Sequence, residues 1–215
     1  MINASNFREL LTSLNFQENG DFFEKQFSHC KDSLKVDFGK KKLIYPENIK
    51  GRERNDGFDA PENFVVFECV YRLLSKGYRP EHIELEKEWH LGHDAKSGRA
   101  DICVYSPSDE HNDKGSLLFI IECKTWGGEF DKALKDTKND GAQLFSYWQQ
   151  EQSCKWLVLY ASDFKDGAAI YNSPTINCSD DPNIVELSKA IFPVKLREII
   201  LKNSEEIFFI NAFSE

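Results

Sequence analysis

The segment Leu117-Leu118-Phe119-Ile120-Ile121-Glu122-Cys123-Lys124 constrains this chain more than any other. Its apolar half reads as a strand buried on both faces, which places it at the centre of a sheet. Packing does not explain an acid and a base at the end of such a strand. Side chains two apart on a strand share a face, so Glu122 and Lys124 project together and Cys123 turns away. A second strand-like run, Asp101-Ile102-Cys103-Val104-Tyr105, opens on another acid. Pairing of the two strands would gather two carboxylates and one lysine at a single site. That trio suits a metal-dependent phosphodiesterase.

The surrounding pattern predicts a mixed α/β (α+β) fold. Phe7, Leu10, Leu11 and Leu14 recur at helical spacing over 4–15, and short strands follow over 21–45. Residues 46–60 are polar and hold Pro46, Gly51 and Gly57, which predicts a loop. A helix opens at Pro61 and ends before Gly77. Strands are predicted over 82–90, 100–105 and 116–123, with a turn at 91–98 and a polar loop at 107–115 between them. A helix over 129–151, broken near 139–141, precedes a strand at 155–160 and a short one near 168–172. Loop, helix and strand are expected over 172–183, 184–202 and 206–212. Three successive strands suggest a meander, and a helix between the third and fourth suggests a parallel crossover. The expected organisation is an N-terminal helix and short-strand appendage (1–60), a core (61–175) and a C-terminal helix and strand packed on it (176–215).

No apolar run approaches the roughly 20 residues of a membrane-spanning helix. The start, Met-Ile-Asn-Ala-Ser-Asn, lacks the basic and apolar parts of a signal peptide, so a cytoplasmic protein with no membrane partner is expected. The six cysteines are well separated and form no C-x-x-C, which reads as free thiols, mostly in the core. A formal net charge of −9 argues mildly against a dedicated nucleic-acid binder. Positive charge is nevertheless concentrated: Lys40, Lys41, Lys42, Lys50, Arg52 and Arg54 face two acids within the sixteen residues 39–54. These six are candidate DNA-phosphate contacts.

The predicted helix Phe64–Leu74 is apolar almost all round and so is buried, yet Glu68 sits in its middle. A buried carboxylate needs a partner or a cation. Either a salt bridge holds it or it faces Asp101 and Glu122 as a third acid. Two carboxylates side by side share a proton or hold a divalent metal, and oxygen-only ligands favour Mg²⁺ (or Mn²⁺). A nearby lysine can orient or help deprotonate a water and offset charge building on a phosphate. Gln143 and Tyr147, four apart on the next helix, share a face and can bond a phosphate or hold the lysine. His90 and His93 lack further ligands at zinc spacing. Gly127 and Gly128 allow a sharp turn, or a close phosphate approach, beside Lys124.

Asp101, Glu122-x-Lys124 after an apolar strand and Gln143-x-x-x-Tyr147 on the following helix resemble the PD-(D/E)XK nuclease superfamily. With Glu68 on the preceding helix, the chain is most similar to the N-terminal nuclease domains of type I restriction enzymes and related restriction–modification proteins. PENFVVFECVYRLL, GYRPEHIELEKEWHLGH, GRADI, DGAQLFSYWQQE and LYASDF carry the resemblance, which spans about residues 5–175. Ala100 stands where the superfamily name has proline. The resemblance implies a restriction-endonuclease-like sheet core flanked by helices. It also implies Asp101, Glu122 and Glu68 as metal ligands, Lys124 as catalytic, and Gln143 and Tyr147 as an accessory pair. No methylase motif or phosphate-binding P-loop occurs, so the chain is either a stand-alone nuclease or, the favoured reading, the N-terminal domain of a longer polypeptide.

The expected function is thus a Mg²⁺-dependent DNA endonuclease domain of a type I-like restriction system, with methylase and specificity subunits or domains as partners. The alternative is a catalytically silent nuclease-like module that binds DNA or a partner subunit beside a DNA methylase.

Overall fold

A computed structural model describes residues 1–54, 56–89, 98–107, 115–140 and 142–178. The predicted turn with His90 and His93, most of the 107–115 loop and the elements beyond 178 lie outside these residues. Helix α1 (Phe7–Ser13) leads into a four-stranded antiparallel sheet of β1 (Gln17–Asn19), β2 (Phe22–Lys25), β3 (Leu34–Asp37) and β4 (Lys42–Ile44). Helix α2 (Pro61–Ser75) follows, then β5 (Ile83–Glu88), β6 (Arg99–Tyr105) and β7 (Leu117–Cys123). Helices α3 (Gly128–Asp140) and α4 (Ala142–Gln150) precede β8 (Trp156–Lys165), β9 (Ala168–Asn172) and β10 (Thr175–Asn177). The architecture is α+β. The last strand falls in a segment whose Ser/Asn/Asp/Pro content reads as loop. Pairing with β8 supplies the backbone partners that its composition does not advertise.

The second sheet runs β10-β8-β7-β6-β5. The pairs β5–β6 and β6–β7 are antiparallel, and β7–β8 is parallel across the α3–α4 crossover. The meander and the crossover take the predicted form. Every residue of β7 is buried, as its unbroken apolar run requires. Residues 46–54 do not stand free of this sheet. Leu85 N–H donates to Lys50 O (2.8 Å), so the loop covers the open edge of β5.

Helix α2 starts where Pro61 supplies a preset φ and Glu62 complements the positive end of the dipole. It stops where Gly77 turns at φ +94°. Its all-round apolar surface is used on both sides. Phe64 packs on Phe7 (ring centres 4.6 Å apart) and Phe67 on Tyr45 (5.6 Å), which ties α1 and the N-terminal sheet to the helix. Val158 and Tyr160 of β8 and Ile121 and Cys123 of β7 complete the same core, so the N-terminal 60 residues share one hydrophobic interior with the larger sheet. Burial of each such large apolar side chain contributes about 1.5–3 kcal/mol. The opposite face of the sheet carries a second core, built from Ile120, Leu157 and Leu159 with Leu144, Tyr147 and Trp148 of α4.

Glu68 lies inside the first core. Arg72 Nε approaches Glu68 Oε1 to 2.6 Å, and the Tyr160 hydroxyl donates to Glu68 Oε2 at 2.5 Å. Arg72 also donates to the Tyr160 hydroxyl (3.0 Å) and stacks on the Tyr171 ring (3.6 Å). Burial holds the Glu68 carboxyl above its ordinary range, against the pull of Arg72 and the hydroxyls of Tyr160 and Ser162. Removing one partner of a buried pair strands the other, which typically costs about 3–5 kcal/mol. Arg72→Met should therefore lower unfolding free energy by about 3 kcal/mol in urea titrations, and Arg72→Met with Glu68→Leu should recover most of that loss. A double variant no more stable than the single would show that the pair is not coupled.

Candidate active site

Strand pairing assembles the predicted trio. The β6–β7 register sets Ile102 opposite Ile121, and one step further brings Asp101 level with Glu122 on the same face. Cys123 N–H donates to Asp101 Oδ2 (2.6 Å), which fixes that carboxylate across the strand gap. Lys124 follows the last residue of β7, and its own N–H donates to Tyr160 O (2.8 Å), holding it to β8. Its ammonium lies 2.6 Å from Glu122 Oε1. Thr125, Trp126 and Gly127 then carry the chain into α3. Gly127 sits at φ +100°, and a Cβ on Gly127 or Gly128 would meet open space. The glycines thus serve the turn and not a close approach of chain to chain.

Glu68 does not join the trio. Neighbouring residues on β7 alternate faces. Cys123 and its partner Tyr160 belong to the α2 core, while Glu122 points to the α3–α4 side. Bonded to Tyr160 and Arg72, Glu68 is on the far side of the sheet from Glu122, and its expected place as a third site acid is corrected to an internal ion pair. The acid that α2 does contribute is Glu62, whose Oε1 lies 3.1 Å from Lys124 Nζ. It escaped the sequence reading because an acid in a helical first turn already has a sufficient reason, the dipole. The available signal was its place beside the N-terminus of a buried helix.

The accessory pair meets as expected. Gln143 Nε2 donates to the Tyr147 hydroxyl, which donates to Arg99 O at 2.5 Å. Tyr147 is buried and steadies the start of β6, two residues before Asp101. Gln143 lines an open cleft of about 620 Å³ together with Glu62, Glu122, Lys124, Thr125 and residues of α3. Glu129 accepts a bond from the Thr125 hydroxyl at the mouth of α3.

The six basic candidates have diverse partners. Lys42 pairs with Asp56 (2.6 Å) and Arg54 with Glu88 (2.6 Å). Arg52 donates to Glu47 O (2.7 Å) and lies 3.6 Å from Glu53. Lys40, Lys41 and Lys50 are exposed. Arg99 adds a further guanidinium beside Glu86 and Glu88.

Burial dominates the electrostatics. It raises the Asp101 carboxyl well above the ordinary range, and the charges of Glu122 and Glu62 raise it further, with Lys124 opposing. Burial raises Glu122 too, against Lys124. For Lys124, burial disfavours the ammonium, but Glu122, Asp101 and Glu62 outweigh it and hold the group charged.

Asp101 and Glu122 are the donor pair that a divalent cation at this site would use. Glu122 Oε2 is buried without a settled hydrogen-bond partner, with the Tyr147 hydroxyl as the neighbouring donor. Among the described residues no group of three or more His, Cys, Asp and Glu is placed to hold a metal ion. A two-carboxylate, oxygen-only site matches Mg²⁺, which retains several waters, better than structural zinc. Protein-family models and curated proteins contain no match to this chain.

An acid whose folded pKa is raised carries more proton in the folded state than in the unfolded one. Stability of the metal-free chain should therefore fall as pH rises from the ordinary carboxylate range through the raised values. Asp101→Asn should flatten this decline, leave the fold intact and keep or raise the metal-free Tm at neutral pH. The gain should be ~2–4 °C per kcal/mol of repulsion relieved. Thermal melts across pH check this. A large drop in Tm would mark Asp101 as a structural bonding partner.

Proposed function

We propose that this chain is a Mg²⁺- or Mn²⁺-dependent deoxyribonuclease domain of the PD-(D/E)XK type, hydrolysing DNA phosphodiester bonds within a type I-like restriction system. The observation that carries the reading is the meeting of Asp101, Glu122 and Lys124 on one sheet face, with Glu122 and Lys124 lining the cleft. Asp101 and Glu122 would hold the ion, with Glu62 adding negative charge nearby. When bound, the ion supplies Lewis-acid polarisation of a phosphoryl oxygen and acidifies a water.

The chain's own groups divide the remaining work. Glu122 and Glu62 hold the Lys124 ammonium in its charged form. A lysine so held donates hydrogen bonds. It suits stabilisation of charge growing on the phosphate and orientation of the attacking water, rather than removal of a proton at rest. Tyr147 and Gln143 tie α4 to the start of β6, and Gln143 lines the cleft. Partial burial of Lys124, whose side chain is 22% exposed, strengthens each of these interactions relative to bulk water.

A second reading draws on the net charge of −9 and on the ion pairs that already occupy Lys42 and Arg54. It is a silent module that holds DNA or a partner subunit beside a methylase. Such a module should bind Mn²⁺ poorly.

Lys124→Ala should lower Mg²⁺-supported DNA cleavage about 10²–10³-fold, the usual worth of one transition-state donor. Fold and most Mn²⁺ binding should persist. The assay belongs on the full-length protein with its partners as well as on this chain. Equal cleavage by wild type and variant would remove Lys124 from the mechanism and favour the silent module.

A further inference from the structure

The cleft contains a cation that the proposed chemistry does not use. Glu62, Glu122, Glu129 and Asp136 line it against two lysines, Lys124 and Lys132. Lys124 is committed to Glu122 and Glu62. The Met1 ammonium, also at the cleft, is held 2.5 Å from Asp163 Oδ1. Lys132 is exposed on the cleft side of α3 and, among the described residues, is the lining lysine with no ion pair or side-chain hydrogen bond.

Local chemistry explains why it stays unpaired. Glu129, one turn earlier, is engaged by the Thr125 hydroxyl. Asp136 lies four residues after Lys132, and lysine before acid is the less favourable order for a helical pair. The two cleft-lining carboxylates at helical spacing from Lys132 therefore do not neutralise it. A phosphodiester entering a cleft with more acids than lysines gains only from a positive charge that is still uncommitted. About 620 Å³ is the size of a small-ligand pocket, so a short length of one strand's backbone fits and a whole duplex does not.

We infer that Lys132 contacts a backbone phosphate of the DNA strand lying in the cleft, next to the phosphate served by Lys124. This inference rests on the nuclease reading above. It assigns affinity to α3, separately from the carboxylates and lysine at the end of β7.

Binding can be measured without cleavage in a Lys124→Ala background, by anisotropy of a fluorescent DNA duplex with Mg²⁺ over a range of salt. Adding Lys132→Ala should raise Kd several-fold and reduce the salt slope by about one unit, the signature of one lost phosphate contact. Lys132→Arg should retain the slope, and Mn²⁺ affinity should be unchanged in both. A parent that binds DNA with Mg²⁺ and keeps its slope on Lys132→Ala overturns the assignment of Lys132 alone. A parent with no Mg²⁺-supported DNA binding, joined to a wild type that neither binds Mn²⁺ nor cleaves, overturns the nuclease reading and this inference with it.

Discussion

The Lys124 ammonium, held between Glu122 and Glu62, is the interaction on which the site depends. Burying Glu122 to 3% exposure at the end of a central strand is costly for a lone carboxylate. Lysine two residues on is the nearest group able to offset that cost, and β alternation delivers it to the same face. Glu62 then ties the start of α2 to the end of β7. One cation thus links helix, strand and cleft. Beside the pair, Asp101 Oδ2 takes the Cys123 N–H, so each acid of the strand ends has a fixed partner.

The six-stranded sheet partitions charge as well as hydrophobic cores. On the α2 side, Glu68 is ion-paired with Arg72 and accepts from the Tyr160 hydroxyl, which also accepts from Arg72. On the α3–α4 side, Glu122 lines the cleft with Asp101 level with it on the next strand, and Tyr147 bonds the backbone that carries Asp101. Two buried glutamates that look alike in sequence therefore have opposite prospects. Glu68 is enclosed between Arg72 and Tyr160 in the core, whereas Glu122 lines the cleft. The N-terminal segment serves this arrangement indirectly, because Phe7 of α1 and Tyr45 just after β4 pack on α2, the helix that begins with Glu62 in its first turn.

Much of this was legible in the amino-acid order. The Leu117–Ile121 run required a buried central strand, and the residues after it required a chemical explanation. Helix α2 announced itself through Pro61, its apolar face and Gly77. Antiparallel and parallel connections followed from whether a loop or a helix joined the strands. Two elements were less legible for physical reasons. Residues 175–177 are a strand because β8 offers an edge, not because Thr-Ile-Asn prefers one. Strand β8 runs to Lys165, well past its predicted end, because β9 continues to pair with it.

Sequence by itself determined that Glu122 and Lys124 share a face, that Asp101 lies near the start of another strand, and that Gln143 and Tyr147 lie one helical turn apart. These follow from the two- and 3.6-residue periods of the chain. Tertiary structure alone decided which glutamate of α2 reaches the site. Helical rotation sends Glu68 into the core and Glu62 toward Lys124, and that outcome depends on how α2 is seated between two sheets. The same docking decided which basic residues are already neutralised, through acids such as Asp56 and Glu88 that are distant in sequence. It also brought Lys132 of α3 to the cleft. Periodicity sets direction within an element, but only packing between elements sets what each side chain meets.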